Sequence, residues 1–277
     1  MPDDYRPYRD EAERIAREAG TLLRSSYGKV SAREKGPSDL VTDADLASQR
    51  LIAERLARAF PDHTLLAEEE GVGADPSKPW RWVVDPLDGT INYAHGFPFW
   101  CVSIALEHAG TLVVGVVHNP LSGETYSASL GGGAARDGVP IHVSPADRLA
   151  ASLIATALPT DFAADVAVQM AYFQRFSTGT HSVRRTGSSA LNLAILAAGG
   201  FEVCYATFMN PWDAAAGVVL VREAGGVVTD LKGEEYDLYR PPILATNGHV
   251  QAEALRALDE ARRRVESTIS VKPGHPG

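Results

Sequence analysis

The stretch Trp80-Arg81-Trp82-Val83-Val84-Asp85-Pro86-Leu87-Asp88-Gly89-Thr90 decides how the rest of the chain is read. Trp82 to Val84 is a short apolar run with the character of a buried strand. It leads directly into two carboxylates, Asp85 and Asp88, at the edge of a dry interior. Pro86 stiffens the turn, and Gly89 lets the backbone approach whatever sits there. Two acids so placed repel each other unless a cation lies between them or one is protonated. Hard cations such as Mg²⁺ take carboxylate and carbonyl oxygens, and the Leu87 carbonyl lies between the two acids. Taken alone, the residues also read as a plain turn at Asp88-Gly89, with Asp85 capping a helix.

The same design recurs on either side. The strand-like run His63 to Ala67 ends in Glu68, Glu69 and Glu70, although an acid run also reads as a solvated face. Asp213 stands in the first turn of a small-residue helix, Pro211 to Gly217, where the helix dipole favours an acid. Asp39, Asp43 and Asp45 flank a helix start near Thr42, and Thr42 with Asp45 has the spacing of a capping box. Four separated acid sites at the ends of buried elements can converge only with counter-charge, and metal ions are the simplest source of it. Two ions about 3.5–4 Å apart, sharing a carboxylate, would activate a water and stabilise a leaving alkoxide. Arg185 to Ala190 opens an apolar helix, so Gly187, Ser188 and Ser189 form either an anion-receiving N-terminus or an ordinary N-cap.

The remaining chain supplies a frame. Ala12, Ile15, Ala16, Ala19, Leu22 and Leu23 follow helical periodicity, with Gly28 as a stop. Lys35 to Asp39 reads as a Gly/Pro loop. Short strands follow at Thr64 to Ala67, Val102 to Leu106 and Leu112 to Val117, then hairpins around Gly131 to Gly133 and Asp137-Gly138. From Leu153 strands alternate with helices, at Phe162 to Phe176, Ala190 to Ala198, Trp212 to Ala224 and Gln251 to Val265. Phe97, Phe99 and Trp100 read as core ahead of a subunit contact. The expected architecture is layered, with mixed sheets, an α+β N-terminal half and an α/β C-terminal half. One domain would cover residues 1–265, as subdomains of about 1–146 and 147–265, with 266–277 a frayed tail.

Composition narrows the function. The 277 residues carry 26 Lys plus Arg against 35 Asp plus Glu, a net charge of −9 that argues against a nucleic-acid binder. Cys101 and Cys204 are too few for a disulfide scaffold and read as inert core thiols in a reducing compartment. Met1 to Asp10 is polar and acidic, unlike a secretion signal, and no apolar stretch approaches the ~20 residues that span a bilayer. The expectation is a cytoplasmic protein with no membrane partner. Walker-type, nucleophile-elbow and His-Glu-x-x-His patterns are all missing from the sequence.

Four segments in this order, Asp39 to Asp45, Glu68-Glu69, Trp82 to Phe99 and Pro211 to Gly217, resemble the inositol monophosphatase family. Gly187 to Ser189 and Glu223 to Gly226 fit it too. The resemblance runs from about residue 8 to 265. It implies an α-β-α-β-α sandwich of the sugar phosphatase type, a homodimer, and Mg²⁺-dependent, lithium-sensitive hydrolysis of phosphate monoesters with two to three ions. By the same resemblance, Glu68, Asp85 and the Leu87 carbonyl hold a first metal, and Asp85, Asp88 and Asp213 a second. Thr90 and Asp45 would polarise the attacking water, and Glu69 would support outer waters. Gly89 and Thr90 would hold phosphate, Asp213 and Gly187 to Ser189 would approach the sugar-like ring, and Lys35 would close over the site. Two positions depart from the pattern: Ala67 replaces a glycine, and Ala206 replaces the acid that grips an inositol hydroxyl. The leading expectation is inositol 1-phosphate hydrolysis. Fructose 1,6-bisphosphate, histidinol phosphate and 3′-phosphoadenosine 5′-phosphate are rival substrates, with Arg184-Arg185 the candidate for a second phosphate. A regulatory partner of RNA or RNA polymerase is the non-enzymatic rival.

Overall fold

The computed structural model describes residues 4–29, 32–36, 39–69, 78–158 and 166–270. The first half contains α1 (Arg6–Ser26), β1 (Ala32–Gly36), β2 (Asp39–Thr42), α2 (Asp43–Ala59), β3 (Thr64–Ala67), β4 (Trp80–Asp88) and α3 (Thr90–Ala94). Antiparallel strands follow: β5 (Cys101–His108), β6 (Thr111–His118), β7 (Thr125–Ser129), β8 (Gly133–Arg136) and β9 (Val139–Pro140). The second half contains β10 (Leu153–Ala157), α4 (Val166–Gly179), β11 (Ser182–Arg184), α5 (Ser189–Ala197) and β12 (Val203–Ala206). It ends with α6 (Pro211–Glu223), β13 (Val227–Thr229), β14 (Ile243–Thr246) and α7 (Gln251–Ser270).

Strands β3 to β9 form a seven-stranded sheet in sequence order, parallel only between β3 and β4. Its central strands are apolar on both faces, which requires cover on both sides. Alternate residues serve different cores: Trp82, Val84, Val102 and Ile104 face α1 and α2, while Val83, Cys101 and Ala105 face α5 and α6. The second sheet has the order β11-β10-β12-β14-β13, parallel around β10 and antiparallel around β14. Helices α5 and α6 lie between the sheets, and α4 and α7 cover the outer face of the second. The layers are therefore α1/α2, sheet, α5/α6, sheet, α4/α7.

A run of small residues brings part of the middle layer close to the first sheet. Ala214, Ala215, Ala216 and Gly217 of α6 are all buried. A methyl group added at Gly115 of β6 would lie 2.3 Å from the Ala216 carbonyl oxygen, so glycine permits this helix–sheet approach.

Several expectations shift. Lys35 to Asp39 is not an open loop: Lys35 and Gly36 end β1, and Asp39 opens β2, paired antiparallel with it. Residues 37–38 lie outside the described residues, as do the side chains of Lys35 and Asp39. Helix α4 runs Val166–Gly179, and positions 162–165 of its expected span lie outside the described residues. Strand β11, three residues long, is too short for periodicity to announce. Helix α7 continues to Ser270, beyond the expected end at Val265, and 271–277 lie outside the described residues. Trp100 is wholly buried and Phe99 half-buried, whereas Phe97 is exposed.

Candidate active site

Strand β4 carries the centre of the site. Its pairing with β5 is regular to Asp85, shifts, and resumes at Asp88 opposite Cys101. This irregularity turns the Asp85-Pro86-Leu87-Asp88 segment out of the simple strand alternation, so both acids are buried on one side. The Leu87 N–H donates to Asp85 Oδ1 at 2.9 Å, folding that carboxylate back on its own turn. Gly89 then takes φ +93 and caps the short helix α3, a conformation that suits glycine.

Asp213 arrives from α6, the layer between the sheets. Its Oδ2 accepts from the backbone N–H of Asn210 at 3.1 Å and from Asn210 Nδ2 at 3.3 Å, closing a capping box. Asp85, Asp88 and Asp213 each offer an oxygen within 4.8 Å of the others. They line a cavity of about 340 Å³ together with Glu68, Leu87, Gly89, Thr90, Ile91, Asn92, Arg185, Thr186, Gly187 and Asn210.

The electrostatics are those of a crowded anionic cluster. Burial, and then the charges of Glu68, Asp88 and Asp213, push the Asp85 carboxyl far above its ordinary range. Burial and the Asp88 charge push Asp213 up to about 7. Asp88 is raised by burial too, but less freely, because Ser188 Oγ donates to its Oδ2 at 2.5 Å and Ala190 N at 2.8 Å. Buried hard oxygens that protonate when left alone are the donor set a small divalent cation suits. These residues could hold a metal ion.

Beside this cluster stands a second arrangement. Thr90 Oγ1 lies 2.9 Å from Asp45 Oδ1 and 3.0 Å from the Leu87 carbonyl oxygen, so its hydroxyl hydrogen has two acceptors. Asp45 Oδ2 accepts from Thr42 N at 2.8 Å and Thr42 Oγ1 at 2.5 Å, completing the capping box of α2. Burial raises the Asp45 carboxyl, and these hydrogen bonds oppose the rise.

The other residues singled out in the sequence divide. Glu68, Gly89, Thr90 and Gly187 line the cavity. Glu69 is buried off the cavity wall, its backbone held by Gln49. Ser188 and Ser189 turn toward Asp88 through Ser188 Oγ and the Ser189 N–H, at 2.5 and 3.3 Å. Arg185 reaches the wall, whereas Arg184 bonds Ser182 beside it. Ala206 is wholly buried between Ala157 and Ile243 in the second sheet. Glu70 lies outside the described residues.

Sequence reading missed four participants. Ser48 and Gln49 continue the Asp45 face of α2 at helical spacing toward Ile52 and Leu56, a polar start to an apolar stripe that was legible. Asn92 bridges the carbonyls of Phe99 and Thr186 at 2.6 and 2.9 Å. Cys101 Sγ lies 3.6 Å from Asp88 Oδ2, under the acid cluster. Neither of these two carried a sequence signal.

The sequence matches the inositol monophosphatase family over residues 4–263. It is 39% identical over 259 residues to an inositol-1-monophosphatase of Synechocystis, covering 93% of this chain and 90% of that one. It is 35% identical over 253 residues to a fructose-1,6-bisphosphatase/inositol-1-monophosphatase of Thermotoga maritima, covering 91% of this chain and 95% of the relative. The fold superposes with a TM-score of 0.85 on the crystal structure of extragenic suppressor protein suhB from Bartonella henselae, at 37% identity, covering 90% and 97% of the two chains. The family match and these relatives make the chain a phosphoric monoester hydrolase. This chain belongs to the inositol monophosphatase family.

Proposed function

We propose that the protein is a Mg²⁺-dependent phosphatase for inositol 1-phosphate or a similar small polyol phosphate, using two to three ions. The observation that carries this reading is the convergence of Asp85, Asp88 and Asp213 on one cavity. Glu68, Asp85 and the Leu87 carbonyl would hold one ion, and Asp85, Asp88 and Asp213 another. Bound there, Mg²⁺ supplies a polarised water and charge stabilisation for the leaving oxygen.

The chain's own groups order the proton transfer. Thr90 Oγ1 directs its hydrogen toward Asp45 Oδ1, leaving its lone pairs to accept a proton from a water in the cavity. Asp45, desolvated and fixed by Thr42, is a base of raised affinity that would take Thr90's own hydrogen as Thr90 accepts the water's proton. Gly89 and Thr90 offer backbone to the phosphate, and Gly187 borders the space for the polyol. Glu69 would act at one remove, through outer waters, and Ser188 and Ser189 through Asp88. Asp213 would meet both metal and substrate, with Lys35 closing from the β1–β2 hairpin.

Arg185 on the cavity wall favours a second reading, a substrate bearing a second anionic group such as fructose 1,6-bisphosphate. Homodimerisation, lithium sensitivity and a cytoplasmic location complete the proposal on the strength of the family resemblance. Phosphate release, measured as kcat/KM on inositol 1-phosphate, fructose 1,6-bisphosphate, histidinol phosphate and 3′-phosphoadenosine 5′-phosphate, tests it. Inositol 1-phosphate should lead, with activity lost in Asp88→Asn. Absence of Mg²⁺-dependent release from all four compounds, or near-normal turnover by that variant, defeats it. Pull-down of RNA or RNA polymerase by an inactive Asp88→Asn variant would favour the regulatory alternative.

A further inference from the structure

We propose that Gln49 and Ser48 are positioning residues for metal binding, one buried face of α2 setting the spacing of the two chain segments that carry Glu68 and Asp85 to Asp88. The inference rests on the metal reading above.

Three consecutive positions on that face each grip a different part of the site. Asp45 accepts from Thr90, as described. Ser48 Oγ donates to the Pro86 carbonyl oxygen at 2.8 Å, inside the turn between Asp85 and Asp88. Gln49 uses both ends of its amide on one residue: Nε2 donates to the Glu69 carbonyl, and Oε1 accepts from the Glu69 N–H at 2.8 Å. The offsets are three and four residues along a helix, so the three side chains share a face by construction.

The need for the clamp follows from where β3 ends. Its ladder with β4 finishes at Ala67–Val84, extended by one bond from Glu68 N to the Val84 carbonyl oxygen. Glu69 then leaves the sheet while still buried, so its backbone groups need partners that are not strands. Gln49 replaces the missing strand, and Glu68, one residue earlier, is held between a ladder and a clamp. The wall of the cavity that Glu68 provides is thus referred to the same helix that orients Asp85 to Asp88 through Pro86. Hydrogen bonds made directly to metal ligands tune affinity by about 10–100-fold, and these bonds act through the backbone beside the ligands, at the lower end of that range.

Calorimetric titration of the full-length, metal-free chain with Mn²⁺, alongside its thermal unfolding, tests this. Gln49→Met keeps the length of the side chain and removes both bonds; it should weaken Mn²⁺ binding about tenfold. Ser48→Ala deletes one oxygen and should weaken it about threefold, the loss of one net hydrogen bond. Amide exchange at Glu69 should quicken in Gln49→Met. A merely structural role would lower the melting temperature and leave Mn²⁺ affinity untouched, and that result in either variant overturns the proposal. Should Gln49→Met fail to fold, Ser48→Ala decides alone. Failure of the wild-type chain to bind Mn²⁺ would instead remove the metal reading, and this inference with it.

Discussion

Ser188 Oγ sits 2.5 Å from Asp88 Oδ2 while also accepting from Leu191 N at 3.4 Å. One hydroxyl thus caps α5 and holds a site carboxylate, and the positive end of that helix is spent on the protein's own acid. The N–H groups of Ser189 and Ala190 point the same way, at 3.3 and 2.8 Å. Ser188→Ala should cost about 1 kcal/mol of stability as a lost cap. It should also weaken Mg²⁺ dependence about tenfold by freeing Asp88. Ser188→Thr keeps the hydroxyl and should restore the metal response. Activity measured against Mg²⁺ concentration checks this, and a half-saturation point identical in Ser188→Ala and wild type would contradict it.

Metal-free protein should become less stable as pH rises. The folded Asp213 carboxyl titrates near 7, above its ordinary 3.8, because burial and Asp88 oppose its charge. Between those values the folded state binds more protons than the unfolded one, so stability falls across that window and levels off above it. The loss is on the order of a few kcal/mol. Asp213→Asn should flatten this slope and raise metal-free stability at pH 8, while abolishing catalysis. Mg²⁺ should stabilise the wild type strongly at pH 8 and little at pH 5, where protons compete. Calorimetric melts at the two pH values, with and without Mg²⁺, read all of this; a steeper pH slope in Asp213→Asn would refute the assignment.

Gly115→Ala should destabilise the fold without touching the cavity. The added methyl would meet the Ala216 carbonyl oxygen at 2.3 Å, and α6 cannot retreat without opening the layer it fills. Overpacking of this kind costs about 1–3 kcal/mol. A thermal melt measures it, and an unchanged Tm would show that the helix has room to move.

The acids of the site were legible because each sits where an apolar run stops: Asp85 after Trp82 to Val84, Glu68 after Thr64 to Ala67, Asp213 at a helix start. Repulsion between acids so gathered calls for a cation, but it does not itself bring them together. Capping does not use up either carboxylate: Asp45 caps α2 and accepts from Thr90 through its other oxygen, and Asp213 caps α6 while lying near Asp85 and Asp88. What stayed hidden depends on partners distant in the chain. Asn92 owes its place to Thr186, and Cys101 to the register of β5 against the bulge of β4. For Gly187 to Ser189 the residues alone leave an anion-receiving helix start and an ordinary N-cap open; Ser188 caps α5, and sequence spacing does not say that the anion it also meets is Asp88.

The seam between the two sheets has a consequence for assembly of the molecule. Glu68, Asp85 and Asp88 belong to the first sheet, Asp213 to the helix layer sandwiched against it, and Ser188 to a helix that also packs on the second sheet. The centre formed by Asp85, Asp88 and Asp213 draws on both halves, so an ion held there would be a property of the docked whole. During refolding, retention of an ion at that shared centre would mark the closure of the sandwich.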